Sequence, residues 1–262
     1  MTARPASGRA SRAGSTLSAY VLHRYDWSES SLILDLFTRE QGRIAVAAKG
    51  AKRPYSQLRA VLLPFQRISV SLGRTPGAET AEVRNLRAAE WAGGAAMLGG
   101  AALFSGFYLN ELLMKLLARH DPHPALFDAY AETLGALPQG NDVAAEAALR
   151  AFELTLLKEI GVLPELSLAT LTQLPVDAER RYSLLAEIGV GERRSGDADI
   201  AGATLIGLQA ALEHGSLPAL QQACAAALPE LKGILRAQLH YHLGSSVLRT
   251  RQVMVEAQNL ER

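Results

Sequence analysis

With 262 residues, 48% hydrophobic and 20% charged, the chain has the composition of a soluble globular protein, long enough for one large domain or two smaller ones. No apolar run comes near the ~20 residues that cross a bilayer, and a single cysteine, Cys224, excludes an internal disulfide and a multi-thiolate zinc site and points to a reducing compartment. The net charge of +1 hides an asymmetry: residues 1–90 hold 14 Lys+Arg against 7 Asp+Glu, and residues 91–262 hold 13 against 19. A basic first third suits a polyanion partner.

Residues Met1 to Leu17 are rich in Ala, Ser, Gly and Arg without a hydrophobic stretch, so they are no secretory signal. They read as a disordered basic tail, although an organelle transit peptide has a similar composition. Then come short alternating runs. Ala19–Tyr25 is the first; Leu32, Leu34 and Leu36 alternate with Ile33, Asp35 and Phe37; Ile44, Val46 and Ala48 oppose Arg43, Ala45 and Lys49. Ile68, Val70 and Leu72 oppose Arg67, Ser69 and Ser71, and Ala81–Leu86 makes a fifth strand. Glu40-Gln41-Gly42 is a short hairpin connection, and Gly73-Arg74-Thr75-Pro76-Gly77 a longer one. Between the third and fourth strands, Tyr55–Leu63 has room for one or two helical turns before Pro64. Five strands with this helical piece are the layout of an OB-fold β-barrel, assigned to residues 18–90.

After Trp91 the period becomes helical. Leu109, Leu112, Leu113, Leu116 and Leu117 form one apolar stripe; Leu149, Phe152, Leu156 and Ile160 form another, stopped by Gly161 and preceded by the polar cap Gln139-Gly140-Asn141-Asp142. Further helices are expected at about 124–136, 204–213, 217–227 and 229–243. Glu165 to Gly202 lacks a clean period and reads as loops or a small irregular subdomain. The fold class is therefore α+β and multidomain: an N-terminal OB-fold barrel, then an all-α domain over 91–262 with an irregular insert at about 165–202.

No phosphate loop, nucleophile elbow, His-Glu-x-x-His helix or dinucleotide-binding glycine pattern occurs, so no catalytic residue can be named. His120 and His123 flank a helix end where polar residues commonly sit, and His240 and His242, two apart, point in different directions on a helix. Neither pair is a metal site, and no cofactor is expected. The strongest local signal is Lys49-Gly50-Ala51-Lys52-Arg53-Pro54-Tyr55-Ser56, where three cations leave a strand through a glycine beside an aromatic. Cations neutralise phosphates, glycine lets a backbone approach closely, and Tyr55 could stack a base. Arg24, Arg43, Arg59, Arg67 and Arg84 extend the basic character of the same domain, without any indication of which share a face. The candidate DNA-binding set is Arg24, Arg43, Lys49, Lys52, Arg53, Tyr55 and Arg59. A second cluster, Lys232, Arg236, His240, His242, Arg249 and Arg251, closes the chain, and the first three are spaced to share a helix face. It reads as a solvated face or as a docking site for an anion or acidic tail.

The ordered segments Ala19-Tyr20-Val21-Leu22, Ser28-Glu29-Ser30-Ser31-Leu32-Ile33-Leu34, Gly42 to Arg53, Tyr108-Leu109-Asn110-Glu111-Leu112, Leu149 to Pro164 and Tyr241 to Arg251 resemble those of the RecO family of recombination mediators. The resemblance runs from about residue 18 to 251. It implies an OB-fold, a helical domain, no catalytic residues and a cytoplasmic, nucleoid-associated protein. It also implies binding of single- and double-stranded DNA, strand annealing, and cooperation with RecR in loading the RecA recombinase. Family members contact the acidic, hydrophobic C-terminal tail of the single-stranded-DNA-binding protein; Lys232, Arg236, Arg249 and Arg251 are the candidates for that contact here. Many members carry a four-cysteine zinc module in the helical half, but Ala169 to Arg194 contains no cysteine, so packing must hold that stretch. Thr250 stands where serine is more usual. The rival reading is an adaptor whose barrel grips an acidic protein and never touches DNA.

Overall fold

The computed structural model describes residues 16–73, 82–94, 97–139, 141–193, 196, 198–244, 248–250, 252, 253 and 256. Most of the N-terminal tail, residues 1–15, lies outside them, as do Arg74–Ala81 of the longer connection and the start of the fifth expected strand. Five strands close into a barrel: β1 (Thr16–Asp26), β2 (Leu32–Thr38), β3 (Gly42–Ala48), β4 (Arg67–Leu72) and β5 (Val83–Trp91), in the order β1-β2-β3-β5-β4 with β4 back on β1. All neighbours are antiparallel except β3 and β5, where Ala45 and Ala47 lie opposite Val83 and Asn85. This is the expected OB-type barrel. Its interior takes one residue in two from each strand, among them Ala19, Val21, Leu34, Leu36, Ile44, Val46, Ile68 and Val70. The first strand starts at Thr16, so Leu17, expected in the tail, is instead buried in the barrel. The helical piece is one turn, α1 (Leu58–Val61). β5 runs on to Trp91, past the Leu86 expected from the sequence, because Arg87-Ala88-Ala89-Glu90 offers no alternation to mark it as strand.

A bulge in β1 sets the geometry of the barrel's open end. Val21 lies opposite Leu36 but His23 lies opposite Asp35, leaving Leu22 as the extra residue. Beyond the bulge Arg24 and Asp26 pair with Leu34 and Leu32, while Tyr25 pairs with Ile33. Cross-strand partners share a face. Arg24 and Asp26 therefore turn toward the barrel mouth, and His23 and Tyr25 lie together on the outer wall.

Six further helices follow among the described residues: α2 (Gly100–Leu116), α3 (Pro124–Ala136), α4 (Asp142–Glu159), α5 (Gly202–His214), α6 (Leu217–Ala226) and α7 (Leu228–Leu243). Leu109, Leu112 and Leu113 of the first stripe and Phe152 and Leu156 of the second are buried, and the Asn141 side chain caps α4 by accepting from the Val143 and Ala144 amides. The bundle shares its core with the barrel's outer wall. Tyr20 packs on Phe127 and Tyr130 at ring distances of 5.3 and 4.9 Å, and Phe37 lies 5.4 Å from Phe127. Buried Asn110 on α2 donates to the Leu22 carbonyl at 2.9 Å and accepts from the Tyr130 hydroxyl at 2.6 Å, pairing a β1 carbonyl exposed by the bulge. Gly42 is held at φ +66, and a Cβ there would run into the Asp121 carbonyl of the α2–α3 connection.

The stretch from Glu165 to Gly202 is more ordered than its sequence suggests. It holds a three-stranded antiparallel sheet, β7-β6-β8, made of β6 (Arg181–Leu185), β7 (Gly189–Glu192) and β8 (Asp199–Ala201). Strands this short, one with glycines at 189 and 191, cannot display a period. Tyr182, Leu184, Val190 and Ile200 join the helical core; buried Gln238 of α7 donates to the Leu184 carbonyl; Arg181 pairs with both Asp199 and Glu230 at 2.8 Å.

Candidate nucleic-acid interface

Two connections meet at the barrel's open end. The β1–β2 turn is closed by the Trp27 and Ser28 amides, both donating to the Ser31 carbonyl. The β3–α1 loop leaves β3 through Gly50, at φ +74, and folds as successive turns: Arg53 N–H to Gly50 O at 3.1 Å, then Ser56 N–H to Arg53 O at 3.0 Å. The two connections are laced together. The Lys52 amide donates to Ser30 O at 3.0 Å, Lys52 Nζ donates to Ser28 O at 3.1 Å, and the same ammonium lies 3.0 Å from Asp26.

This arrangement sorts the basic residues into two groups. Arg24, Lys52 and Arg59 line one open pocket of about 540 Å³ with Asp26, Leu32 and Leu62, and Arg24 also donates to the Leu62 carbonyl at 3.3 Å. Lys49, Arg53 and Tyr55 stand exposed on the adjoining loop. The side chains of Lys49, Arg53 and Arg59 have no hydrogen bond or ion pair among the described residues, and Tyr55 is 99% exposed. Six of the seven candidates, from β1, the β3–α1 loop and α1, thus gather at one end of the barrel.

Arg43 does not belong with them. Its side chain is 14% exposed, wedged between β3 and the end of α2, where Nη1 donates to the Met114 carbonyl and Nε lies 3.8 Å from Asp35. Burial lowers its pKa from the usual value although Asp35 pulls the other way. Arg119, 3.2 Å from Asp35 and itself exposed, completes the junction between barrel and helices. Arg67 is likewise occupied, over the Phe127 ring and bonded to Ser18, and Arg84 bonds to Gln41. Alternation set Arg43 and Arg67 opposite the apolar residues of their strands; it carried no sign that a second domain covers that wall.

The C-terminal cluster is differently built. Lys232 pairs with Glu146 of α4 at 3.0 Å. Arg236 is exposed on α7, and its charge reaches Tyr108 and Glu153. Glu153 is fully buried, accepts from the Tyr108 hydroxyl at 2.7 Å and pairs with Arg150 at 2.8 Å; burial raises its pKa against the pull of Arg150. Arg249 is exposed, but its amide, with the amide and hydroxyl of Thr250, donates to Glu111. Burial would raise the Glu111 pKa; the bonds from Thr250 and Arg249 outweigh it and hold the carboxyl below its usual range. Arg251 lies outside the described residues.

The run from Tyr108 to Leu112 thus carries three different tethers: Tyr108 to Glu153, Asn110 to β1, and Glu111 to the C-terminal segment. His123 is engaged by Glu159 at 3.1 Å and Asp121 at 3.4 Å. Among the described residues no three His, Cys, Asp or Glu side chains converge on a possible metal. With a single cysteine, the chain cannot supply the four-cysteine zinc module that the resemblance implies; the carbonyl bond from Gln238 and the Arg181 ion pairs fasten the small sheet. No described helix is long and apolar enough to cross a membrane. The sequence reading overlooked Trp27, 57% exposed, and Tyr25, 43% exposed and stacked edge-on to His23 at 4.4 Å. Their signal was the aromatic pair Tyr25-Asp26-Trp27 at the end of a strand in an otherwise aromatic-poor chain.

An OB-type barrel with cations and aromatics at its open end, fused through a shared core to a helical bundle, defines the class of protein. The first part matches the family described as Recombination protein O N terminal over residues 14–92, and the second matches Recombination protein O C terminal over residues 99–252. The chain is 54% identical over 244 residues to the DNA repair protein RecO of Polaromonas naphthalenivorans (strain CJ2), covering 92% of this chain and 96% of that one. It is 50% identical to the DNA repair protein RecO of Albidiferax ferrireducens, with 92% and 95% covered, and 50% identical to that of Variovorax paradoxus (strain S110), with 92% and 96% covered. The chain belongs to the RecO family.

Proposed function

We propose that this protein is a non-catalytic mediator of DNA repair and homologous recombination. It binds single- and double-stranded DNA through the barrel's open end, anneals strands, and helps load the RecA recombinase, with RecR, onto DNA coated by the single-stranded-DNA-binding protein. The observation that carries the DNA reading is the convergence of Arg24, Lys49, Lys52, Arg53 and Arg59 on one end of the barrel, where among the described residues only Lys52 has an acidic partner. Phosphates lie a few ångströms apart along a strand, and unpaired cations at that spacing release counterions without first breaking a bond of their own. The names and coverage of the relatives support the repair role. Arg43 is left out of the DNA set because its guanidinium is committed to the domain junction.

The tail of the single-stranded-DNA-binding protein is assigned to Lys232, Arg236 and Arg249, with Arg251 a candidate from the sequence alone. An acidic peptide there would compete with Glu146 for Lys232.

The test is fluorescence anisotropy of a labelled single-stranded oligonucleotide against wild type and the triple variant Lys49→Glu/Lys52→Glu/Arg53→Glu. Binding by wild type and its loss in the variant support the assignment; retained affinity in the variant refutes it. If wild type binds no DNA at low salt, the adaptor reading takes its place.

A further inference from the structure

OB-folds commonly take nucleic acid on the outer face of strands two and three and on the flanking loops. Here the helical bundle covers much of that face. Phe37 is in the shared core, Asp35 is paired with Arg119, and Arg43 is bonded to Met114. The part left open is the end next to the β1–β2 turn, and it carries Tyr25 and Trp27 on the outer wall and turn, with Tyr55 on the loop laced to that turn.

Large aromatic side chains left more than two-fifths exposed contribute little to stability, and three of them lie on this one end of the barrel. The backbone that carries Trp27 is also fastened. The Trp27 amide and that of Ser28 close the turn on Ser31, and Lys52 crosses it to Ser28 and Asp26. An exposed indole on a closed turn beside phosphate-binding cations suits one ligand chemistry well: an unpaired nucleobase, whose free π face stacks while the adjoining phosphates meet the cations. A base inside a duplex offers no such face.

We infer that Trp27, supported by Tyr25, is a stacking platform for an unpaired base of single-stranded DNA and makes this end of the barrel discriminate single strands from duplex. The inference rests on the DNA reading above and adds the strand preference and the residue that sets it.

The full-length Trp91→Phe protein retains Trp27 as its only tryptophan. Its emission is followed during titration with an oligothymidylate and, separately, with a blunt duplex, with anisotropy of labelled DNA recorded in parallel. The expected result is quenching by the single strand and little by the duplex. Trp27→Ala should weaken single-strand binding roughly five- to hundredfold and leave duplex affinity within about twofold, while Trp27→Phe should restore most of it. Single-strand binding by anisotropy without quenching overturns the stacking role and leaves the phosphate reading standing. Equal losses on single strand and duplex in Trp27→Ala overturn the discrimination. Absence of binding to either DNA removes both readings together.

Discussion

Around the barrel mouth, Lys49, Arg53 and Arg59 project from turns and meet no acid among the described residues. Along α7, Lys232 reaches Glu146 at 3.0 Å and Arg236 lies in the field of buried Glu153. The two clusters have similar numbers of basic residues, yet their availability differs. Those three cations at the mouth can turn to a phosphate at no cost in lost pairing, whereas Lys232 on α7 must exchange one carboxylate for another. The same contrast separates Arg24 from Arg43, on the first and third strands of one closed barrel. A bulge turns the first into an open pocket, and the helical bundle buries the second. Basic composition marks a domain as fit for a polyanion; free geometry marks the residues that bind it.

The comparison breaks most severely if the buried carboxylate behind α7 is removed. Glu153→Ala strands Arg150 and the Tyr108 hydroxyl in the core, and should lower unfolding free energy by about 3–5 kcal/mol in urea titration. A loss under 1 kcal/mol would mean that the cluster is less tightly built than its geometry indicates. Next comes the mouth itself. Reversing Lys49, Lys52 and Arg53 should weaken DNA binding by on the order of a hundredfold or more, and reversing Lys232 and Arg236 should leave it within about twofold. Similar losses from both would erase the distinction.

Glu111 sharpens it from the other side. Its folded pKa lies below the usual carboxylate range, so its contribution is present at neutral pH and is lost as pH falls through that depressed value. Exchange protection of the Arg249 and Thr250 amides should fall in that acidic window, and Glu111→Gln should cost about 1–2 kcal/mol at pH 7 and flatten the pH dependence. Protection indifferent to both changes would contradict the tether. The smallest effect belongs to the exposed pair: Lys232→Ala should alter stability by no more than about 0.5 kcal/mol.

Much of this architecture is written in local periodicity. Leu34, Leu36, Ile44 and Val46 alternate because only one side of each strand faces the barrel interior, and Leu109, Leu112 and Leu113 recur because one face of α2 meets its neighbours. The loop from Lys49 to Tyr55 could be picked out because charge and a glycine coincide there. Other features depend on partners distant in sequence. Arg43 alternates like any solvent-facing residue, and only the docking of Met114 and Arg119, more than 70 residues away, buries it. The β1 bulge that directs Arg24 into the mouth has no glycine or proline to announce it. The strands of the small sheet are three to five residues long, too few for a pattern. Trp27 became a candidate only once the structure left it uncovered.

The most direct test of the unequal clusters is the salt dependence of single-strand affinity, measured by anisotropy over a range of ionic strength for three proteins. For wild type the logarithm of the association constant should fall steeply with the logarithm of salt concentration. Replacing Lys49, Lys52 and Arg53 by alanine should reduce the magnitude of that slope by about 2, since each phosphate contact contributes roughly 0.7 for a single strand. Replacing Lys232 and Arg236 should leave it unchanged. A slope unaltered by the loop substitutions, or reduced equally by those on α7, would contradict the assignment of DNA to the barrel mouth.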